Sequence, residues 1–203
     1  MLLRLVLALV LVGMFGAGCS GGSGPAAAPS SAPGSSTSGS PSGSATPSTS
    51  RAVDLPTGCD SLLPFTELDR ALGRPLFGQT LYTKGVAQPS IGRTGRVTCR
   101  YGVARNGKGA APVEVGVSTY TDVESATRRV QSTISDLRSM GARQADATVS
   151  GLPATVLGTG TSFTVVLGQG ARTIAVTLQR SLHGSSDRTA LAVAERVLAN
   201  LDQ

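Results

Sequence analysis

The segment from residue 20 to residue 50 limits what this chain can fold into. It contains only Gly, Ser, Ala, Pro and Thr, with no charged, aromatic or large aliphatic residue. Such a segment cannot bury enough apolar surface to offset the entropy lost on ordering, so 19–50 is predicted to be a flexible tether. Any core must form from the residues that follow, and 51–203 is long enough for one domain of about 150 residues.

The amino terminus has the pattern of an export signal. Arg4 provides a positive charge, residues 5–12 are apolar, and the small residues 16–18 directly precede Cys19. This pattern predicts a signal peptide over 1–18, and the apolar run is shorter than the about 20 residues that a bilayer core needs. Two alternatives are a secretory signal beside an incidental cysteine and an uncleaved membrane anchor.

The three cysteines constrain the compartment and the covalent structure. They are Cys19, Cys59 and Cys99. If Cys19 carries a lipid, one pair remains, and an oxidising compartment favours a disulfide between its members. Two free thiols and a metal pair are the alternatives. A metal site is disfavoured because the two thiols and the single histidine, His183, fall short of the usual four ligands.

The first part of the domain offers weak signals. The domain is expected to begin near Leu55. Thr66 is a candidate N-cap for a short helix that Gly73 ends. Residues 78–96 are rich in glycine and contain a proline, which predicts an irregular excursion of the chain.

A hairpin and a long helix follow. Residues 97–105 and 112–120 have strand character, with apolar alternation in the second, and residues 106–109 form the turn between them. Thr121 begins a capping box, from which a helix is expected to run to about residue 140.

The second half contains further strands and a final helix. Residues 147–157 are predicted to be a strand pair or a bent strand. Residues 163–167 and 174–178 alternate on either side of the turn 168–170, which indicates a hairpin. Ser186 is expected to cap the final helix.

These elements predict an α+β fold with a single antiparallel sheet and helices packed on one face, and their order allows a ββα pseudo-repeat. The predicted buried stripes of the two long helices are Val123, Ala126, Val130, Ile134 and Leu137, and then Leu191, Ala194, Leu198 and Leu201.

Motifs for catalysis are missing from the sequence. It contains no zinc-protease HExxH, no GxSxG elbow and no P-loop lysine motif. The segment 182–187 holds His183 beside Ser and Asp, but sequence neighbours do not form a catalytic triad, and a polar loop ending in a helix cap is favoured. The segment 107–109 could cradle a phosphate, yet no helix follows it directly, so a hairpin turn is favoured. We predict a protein without enzymatic activity, cofactor or metal.

Positive charge is the best functional indication. The chain has 18 Lys+Arg and 12 Asp+Glu, and between Arg70 and Val113 it contains eight basic residues and no acidic one. Such a region could attract anionic lipid headgroups or wall polymers; the alternative is a solvated arginine-rich surface. Nucleic acid is disfavoured by the expected location and by the absence of interleaved aromatic residues. The candidate contact residues are Lys84, Arg93, Arg96, Arg100, Arg105 and Lys108.

Several short motifs resemble a family of actinobacterial lipoproteins of unknown function. They are the signal with Cys19, the tether, Gly58-Cys59-Asp-Ser-Leu-Leu63, Cys99-Arg-Tyr101, Ser150-Gly-Leu-Pro-Ala154 and the closing 192–201. The resemblance implies a lipid on the Cys19 sulfur, cleavage just before this residue, and anchoring at the extracytoplasmic face of the cell membrane. It also implies the Cys59–Cys99 disulfide. Many relatives carry a second cysteine pair that this chain lacks.

The hypothesis from sequence is therefore a lipid-anchored, non-enzymatic envelope module that binds a ligand or a protein partner. The excursion at 78–96 and the exposed sheet face are its candidate surfaces. The alternatives are an accessory subunit of a membrane complex and an envelope hydrolase.

Overall fold

A computed structural model describes residues 54–203; the predicted signal, Cys19 and the tether lie outside the described residues. The strands are β1 (Gln79–Gly85), β2 (Arg93–Val103), β3 (Val113–Tyr120), β4 (Arg143–Val149), β5 (Leu152–Gly158), β6 (Ser162–Gln169) and β7 (Arg172–Gln179). The helices are α1 (Cys59–Leu62), α2 (Phe65–Leu72), α3 (Val123–Ser139) and α4 (Asp187–Leu201), and a 3-10 turn spans Pro89–Ile91.

The strands form one seven-stranded sheet in the order β1-β2-β3-β7-β6-β5-β4, and every neighbouring pair is antiparallel. Hairpins connect most neighbours along the chain, and β7 returns to pair with β3 at the centre of the sheet. The α+β fold with a single antiparallel sheet is thus confirmed.

The main core lies on one face of the sheet, beneath α1, α2 and α4. Alternate residues of the strands point into it, and Val115 of β3 faces Val176 of β7 across the central pair. The residues of this core are distributed along the chain from Leu55 to Leu201, and both of these end residues are half-buried. Since residues 54–203 contain this entire core, a segment that includes them can fold on its own.

Helix α3 packs on the opposite face, which corrects the expectation that all helices share one face. Ile134 of α3 contacts a small cluster that includes Leu157 and Val166, whereas Val165 belongs to the main core. Neighbouring residues of a strand point to opposite faces, so α3 and α4 cover opposite sides of β6. The physical reason is that β5 and β6 carry apolar side chains on both faces, and both faces therefore need a cover.

The pseudo-repeat is not confirmed. The central strands β3 and β7 are antiparallel neighbours, so a two-fold axis relating the halves would have to stand perpendicular to the sheet. Such an axis keeps each helix on its own face. Helices α3 and α4 lie on opposite faces, so this operation does not superpose them.

Two predicted helix starts shift, that of α2 by two residues and that of α3 by one. Helix α2 begins at Phe65 with Pro64 as its N-cap, which places Thr66 inside the helix, and Gly73 ends it with a φ of 68° as expected. Helix α3 is capped by Asp122, whose carboxylate accepts a hydrogen bond from the Ser125 N–H at 2.6 Å. Asp is one of the preferred N-cap residues, so Asp122 caps the helix instead of the neighbouring Thr121.

The prediction of an irregular excursion over 78–96 is wrong. Most of it is strand β1 and the beginning of β2. Strand β1 lies at the sheet edge, has a register irregularity between Gln79 and Leu81, and is largely exposed. An edge strand with no buried face shows no apolar alternation, which is why the pattern did not reveal it.

The remaining hairpins match the expectations. Strands β4 and β5 are the predicted strand pair, joined at Ser150 and Gly151, which both have positive φ as a tight hairpin turn requires. Strands β6 and β7 form the second predicted hairpin. Ser186 caps α4 by accepting a hydrogen bond from the Thr189 N–H at 3.0 Å.

The predicted apolar stripes are correct in part. In α3, Ala126 and Ile134 are buried, whereas Val123 is 58% exposed. In α4, Ala194 and Leu198 are buried as predicted. The buried face of α4 also includes Ala190, Val193 and Val197.

Candidate functional site

A small cleft between α3 and the sheet brings three arginines together. Arg93 and Arg96 come from β2, and Arg129 comes from α3. All three side chains are half-buried, and the cleft has a volume of about 90 Å³. No Asp or Glu is among the residues that line it.

A register irregularity in β2 puts both of its arginines on one face. Residues three apart in a regular strand point to opposite sides. The irregularity between Arg93 and Gly95 adds one residue, so Arg93 pairs with Tyr120 and Arg96 pairs with Ser118. Since Ser118 and Tyr120 are two residues apart on β3, the two arginines share the face that α3 covers.

A glycine forms the floor beneath Arg96. A Cβ atom built on Gly116 would lie 3.6 Å from Nη2 of Arg96, which is ordinary van der Waals contact. Any larger side chain would occupy the space in front of the guanidinium. Arg96 itself donates a hydrogen bond from Nε to the Thr98 hydroxyl at 3.3 Å. Gly116 therefore keeps the cleft open beside a positioned cation.

The hydrogen-bonding capacity of the cleft arginines is incompletely used. Arg93 donates from Nη2 to the Val86 carbonyl at 3.4 Å, and its Nε is buried without a hydrogen-bond partner among the described residues. A buried donor left unsatisfied costs about 1–3 kcal/mol. Within residues 54–203 the carboxylate partners of arginine are Glu114, with Arg100, and Glu124, with Arg128, so no ion pair neutralises the three cleft arginines.

The chemical consequence is a preference for anions. Guanidinium groups match the geometry of phosphate and carboxylate oxygens and can bond them in pairs. Three such groups in a half-buried cleft repel one another, and an anion between them relieves that repulsion while supplying acceptors.

The predicted basic surface is divided by the fold. Arg93 and Arg96 lie in the cleft, but Arg100 is farther along β2, where it lies 3.9 Å from Glu114 and donates to the Gly109 carbonyl at 2.6 Å. Arg105 and Lys108 are exposed in the connection between β2 and β3. Lys84 pairs in register with the core residue Val97, so it lies on the opposite face of the sheet.

Sequence reasoning missed Arg129 as a member of this site. It lies outside the basic stretch between Arg70 and Val113. It also belongs to α3, which was expected on the same face of the sheet as the other helices. The arginine doublet Arg128-Arg129 was visible off the apolar stripe of α3, but only the position of the helix reveals which strand residues face it.

The predicted disulfide is present and lies in the core. Cys59 of α1 and Cys99 of β2 are bonded, with their Cα atoms 5.6 Å apart. Next to them, the Tyr101 hydroxyl donates a hydrogen bond to the Cys59 carbonyl at 3.1 Å. Burial raises the pKa of Tyr101, and the negative charge of Asp60 adds to the effect, so the phenol stays protonated.

Other candidate groups do not assemble into a site. His183 is exposed, and the nearby Ser186 serves as a helix cap. Within residues 54–203 no three His, Cys, Asp or Glu side chains cluster as a metal site would require. The segment 107–109 lies in the connection between two strands, as the turn hypothesis expected.

Comparison with known proteins adds the following. No family model and no curated protein matches the chain. Among solved structures, it is similar to the extracellular domain of PknH from Mycobacterium tuberculosis, with 12% sequence identity, 75% of this chain and 99% of that chain covered, and a TM-score of 0.47. In the part of the chain that the structure describes, no helix combines the length and apolar character needed to span a bilayer.

Proposed function

We propose that this chain is a lipid-anchored, non-enzymatic module of the cell envelope that binds an anionic ligand in the arginine cleft. The observation that carries the proposal is the convergence of Arg93, Arg96 and Arg129 on one small space with no carboxylate in its lining. The basic run in the sequence supports the same class of ligand, although the fold uses only part of that run.

The size of the cleft defines the group that it accepts. Small-molecule sites usually measure about 300–1,000 Å³. A cleft of about 90 Å³ is suited to one phosphate- or carboxylate-sized group rather than to a whole ligand. Free phosphate, an anionic lipid headgroup and a wall polymer all present such a group.

The proposed location rests on the amino-terminal pattern and on the disulfide. Residues 1–18 would be removed, and lipid on the Cys19 sulfur would hold the protein at the extracytoplasmic face of the membrane. The bond between Cys59 and Cys99 fits an oxidising compartment. Expressing the full chain with Cys19→Ser and following its mass and fractionation tests this location. We expect loss of acylation and of membrane association, and a cleaved form that stays with the membrane would contradict it.

Anion binding is tested by titrating the 47–203 segment with inorganic phosphate while following backbone amide shifts by NMR. Arg96→Gln removes one cleft cation. We expect at least about tenfold weaker binding, because a charge-assisted hydrogen bond contributes roughly 1.5–3 kcal/mol. Arg105→Gln makes the same change of charge outside the cleft and serves as the matched control. Equal losses in both variants would show that net charge alone attracts the anion.

Binding to vesicles distinguishes an anion carried by a lipid headgroup from one that is free or part of a wall polymer. Co-sedimentation of the same segment with phosphatidylglycerol vesicles, compared with phosphatidylcholine vesicles, reports on lipid headgroups. Binding to soluble phosphate or to an anionic wall polymer without binding to vesicles excludes a lipid headgroup and leaves a free anion or a wall polymer as the ligand. If neither phosphate nor anionic vesicles bind, the proposed function is wrong.

A further inference from the structure

A second pocket adjoins the arginine cleft. It lies between the 3-10 turn and the first half of α3 and has a volume of about 460 Å³, which is within the usual range for small-molecule sites. Arg129 lines both spaces, so the cleft and the pocket meet at this side chain. A ligand that occupies both would have an anionic end beside Arg96 and a larger part beside the 3-10 turn.

The close approach of the turn to α3 forms this pocket. Gly92 follows the turn with a φ of 69°, and a Cβ there would come within 2.8 Å of the Ser125 hydroxyl and 2.9 Å of the Thr121 hydroxyl. The Thr121 N–H also donates to the Gly92 carbonyl at 2.8 Å. Only glycine permits both the left-handed backbone and this contact, so the spacing of the two walls is fixed.

The lining of the pocket has the chemistry of a polyol site. Hydroxyls come from Ser90 in the turn and from Ser125 and Ser132 on α3. Ser132 donates to the Asp136 carboxylate at 3.5 Å, and each hydroxyl oxygen can accept a hydrogen bond from a ligand. Apolar surface comes from Pro89 and Ile91. Ligand hydroxyls can bond the serines while the carbon skeleton of a ring packs on the apolar residues.

The charges of this pocket are also compatible with a neutral polyol. No Asp or Glu lines it. Arg128 is bonded to the Glu124 carboxylate and donates to the Ser125 hydroxyl at 2.9 Å, so its charge is already compensated. Arg129, in contrast, has no carboxylate within salt-bridge distance among the described residues and stays available to the anionic group.

From these two adjoining spaces we infer that the ligand is a phosphorylated polyol, with its phosphate in the arginine cleft and its hydroxylated ring in the serine pocket. The inference rests on the proposed function and names the ligand class of the same site. The class includes sugar and inositol phosphates, whether free, in a lipid headgroup or in a wall polymer.

The test compares inorganic phosphate, glucose, glucose 1-phosphate and inositol 1-phosphate as ligands of the 47–203 segment. We expect at least one polyol phosphate to bind five or more times as tightly as inorganic phosphate, and glucose alone to bind weakly. Ser132→Leu fills the pocket at an exposed helical position and should abolish this advantage while leaving the affinity for inorganic phosphate unchanged. Ser139→Leu, on the same helix but outside the pocket, is the control.

The outcomes separate the two proposals. If phosphate binds but neither polyol phosphate is tighter, or if Ser132→Leu leaves the advantage intact, this inference is overturned and the proposed anion site stands. If nothing binds, both are overturned. Vesicles of phosphatidylcholine with and without phosphatidylinositol, compared with soluble inositol 1-phosphate, then distinguish a lipid-borne headgroup from a soluble or wall-borne one.

Discussion

Reduction of the disulfide is the perturbation whose cost follows most directly from the structure. The bond joins Cys59 to Cys99 across a sequence separation of 40 residues. In the chain-entropy model, opening a loop of this length lowers the free energy of unfolding by about 4 kcal/mol, because the unfolded chain regains the freedom that the bond removed. That is a large part of the about 5–15 kcal/mol by which domains are stable.

The fold should nevertheless survive reduction. Helix α1 keeps the hydrogen bond between Tyr101 and the Cys59 carbonyl, and Leu62 and Leu63 beside it are fully buried. We therefore expect a native-like far-UV circular dichroism spectrum for the reduced protein at 25 °C. With a urea dependence of about 2 kcal/mol/M, the unfolding midpoint should fall by about 2 M.

The assay is urea denaturation of the 47–203 segment with and without reductant, together with the Cys59→Ala/Cys99→Ala variant. The reduced wild type retains both sulfur atoms in the core, whereas the variant loses them, so the difference between the two measures their packing. A fall of less than about 0.5 M on reduction, equivalent to about 1 kcal/mol, would refute the loop-entropy argument.

Three further predictions concern the core, a helix end and the cleft. Tyr101→Phe should lower the free energy of unfolding by about 1 kcal/mol, because the Cys59 carbonyl keeps its bond from the Leu63 N–H; no change in urea denaturation would contradict this. Hydrogen bonds, first from the Ser125 backbone N–H and then from the Thr121 hydroxyl, hold the pKa of Asp122 below its ordinary value. Its charge therefore stabilises the fold above that ordinary value, and this contribution is lost as the pH falls through the lowered pKa. Thermal unfolding should therefore show a steeper loss of stability below about pH 4 for the wild type than for Asp122→Asn, and equal slopes would count against the cap. Gly116→Val should abolish phosphate binding without lowering the melting temperature greatly, whereas Gly116→Ala should bind; loss of binding in both variants would argue against the assigned floor.

The sequence was most informative where the apolar residues of an element recur at the period of that element. Strands β3, β6 and β7 and helix α4 show clear periodicity, and the cysteine count led to the disulfide. Strand β1 was missed because it lies at the sheet edge and has no alternation. The face occupied by α3 was missed because the stripe of a helix shows that the helix is amphipathic and does not show which side of a sheet it covers.

The candidate site was predictable only in part, for a geometric reason. Charge counted along the chain ignores the alternation of strand side chains, so Lys84 and Arg96 belong to one basic run and yet lie on opposite faces. The shared face of Arg93 and Arg96 depends on a register irregularity for which we found no signal in the sequence. Arg129 reaches the cleft only through the packing of α3.

The packing of α3 on the sheet couples the local opening of this helix to occupancy of the cleft. Ile134, Leu157 and Val166 form a cluster separate from the main core, so the amides of α3 should exchange with solvent through openings that leave the rest of the fold intact. An anion held between Arg129 on the helix and Arg96 on the sheet would oppose those openings, and by reciprocity a loosened helix would release the anion. The hydrogen-exchange rates of the α3 amides would then report whether an anion occupies the cleft.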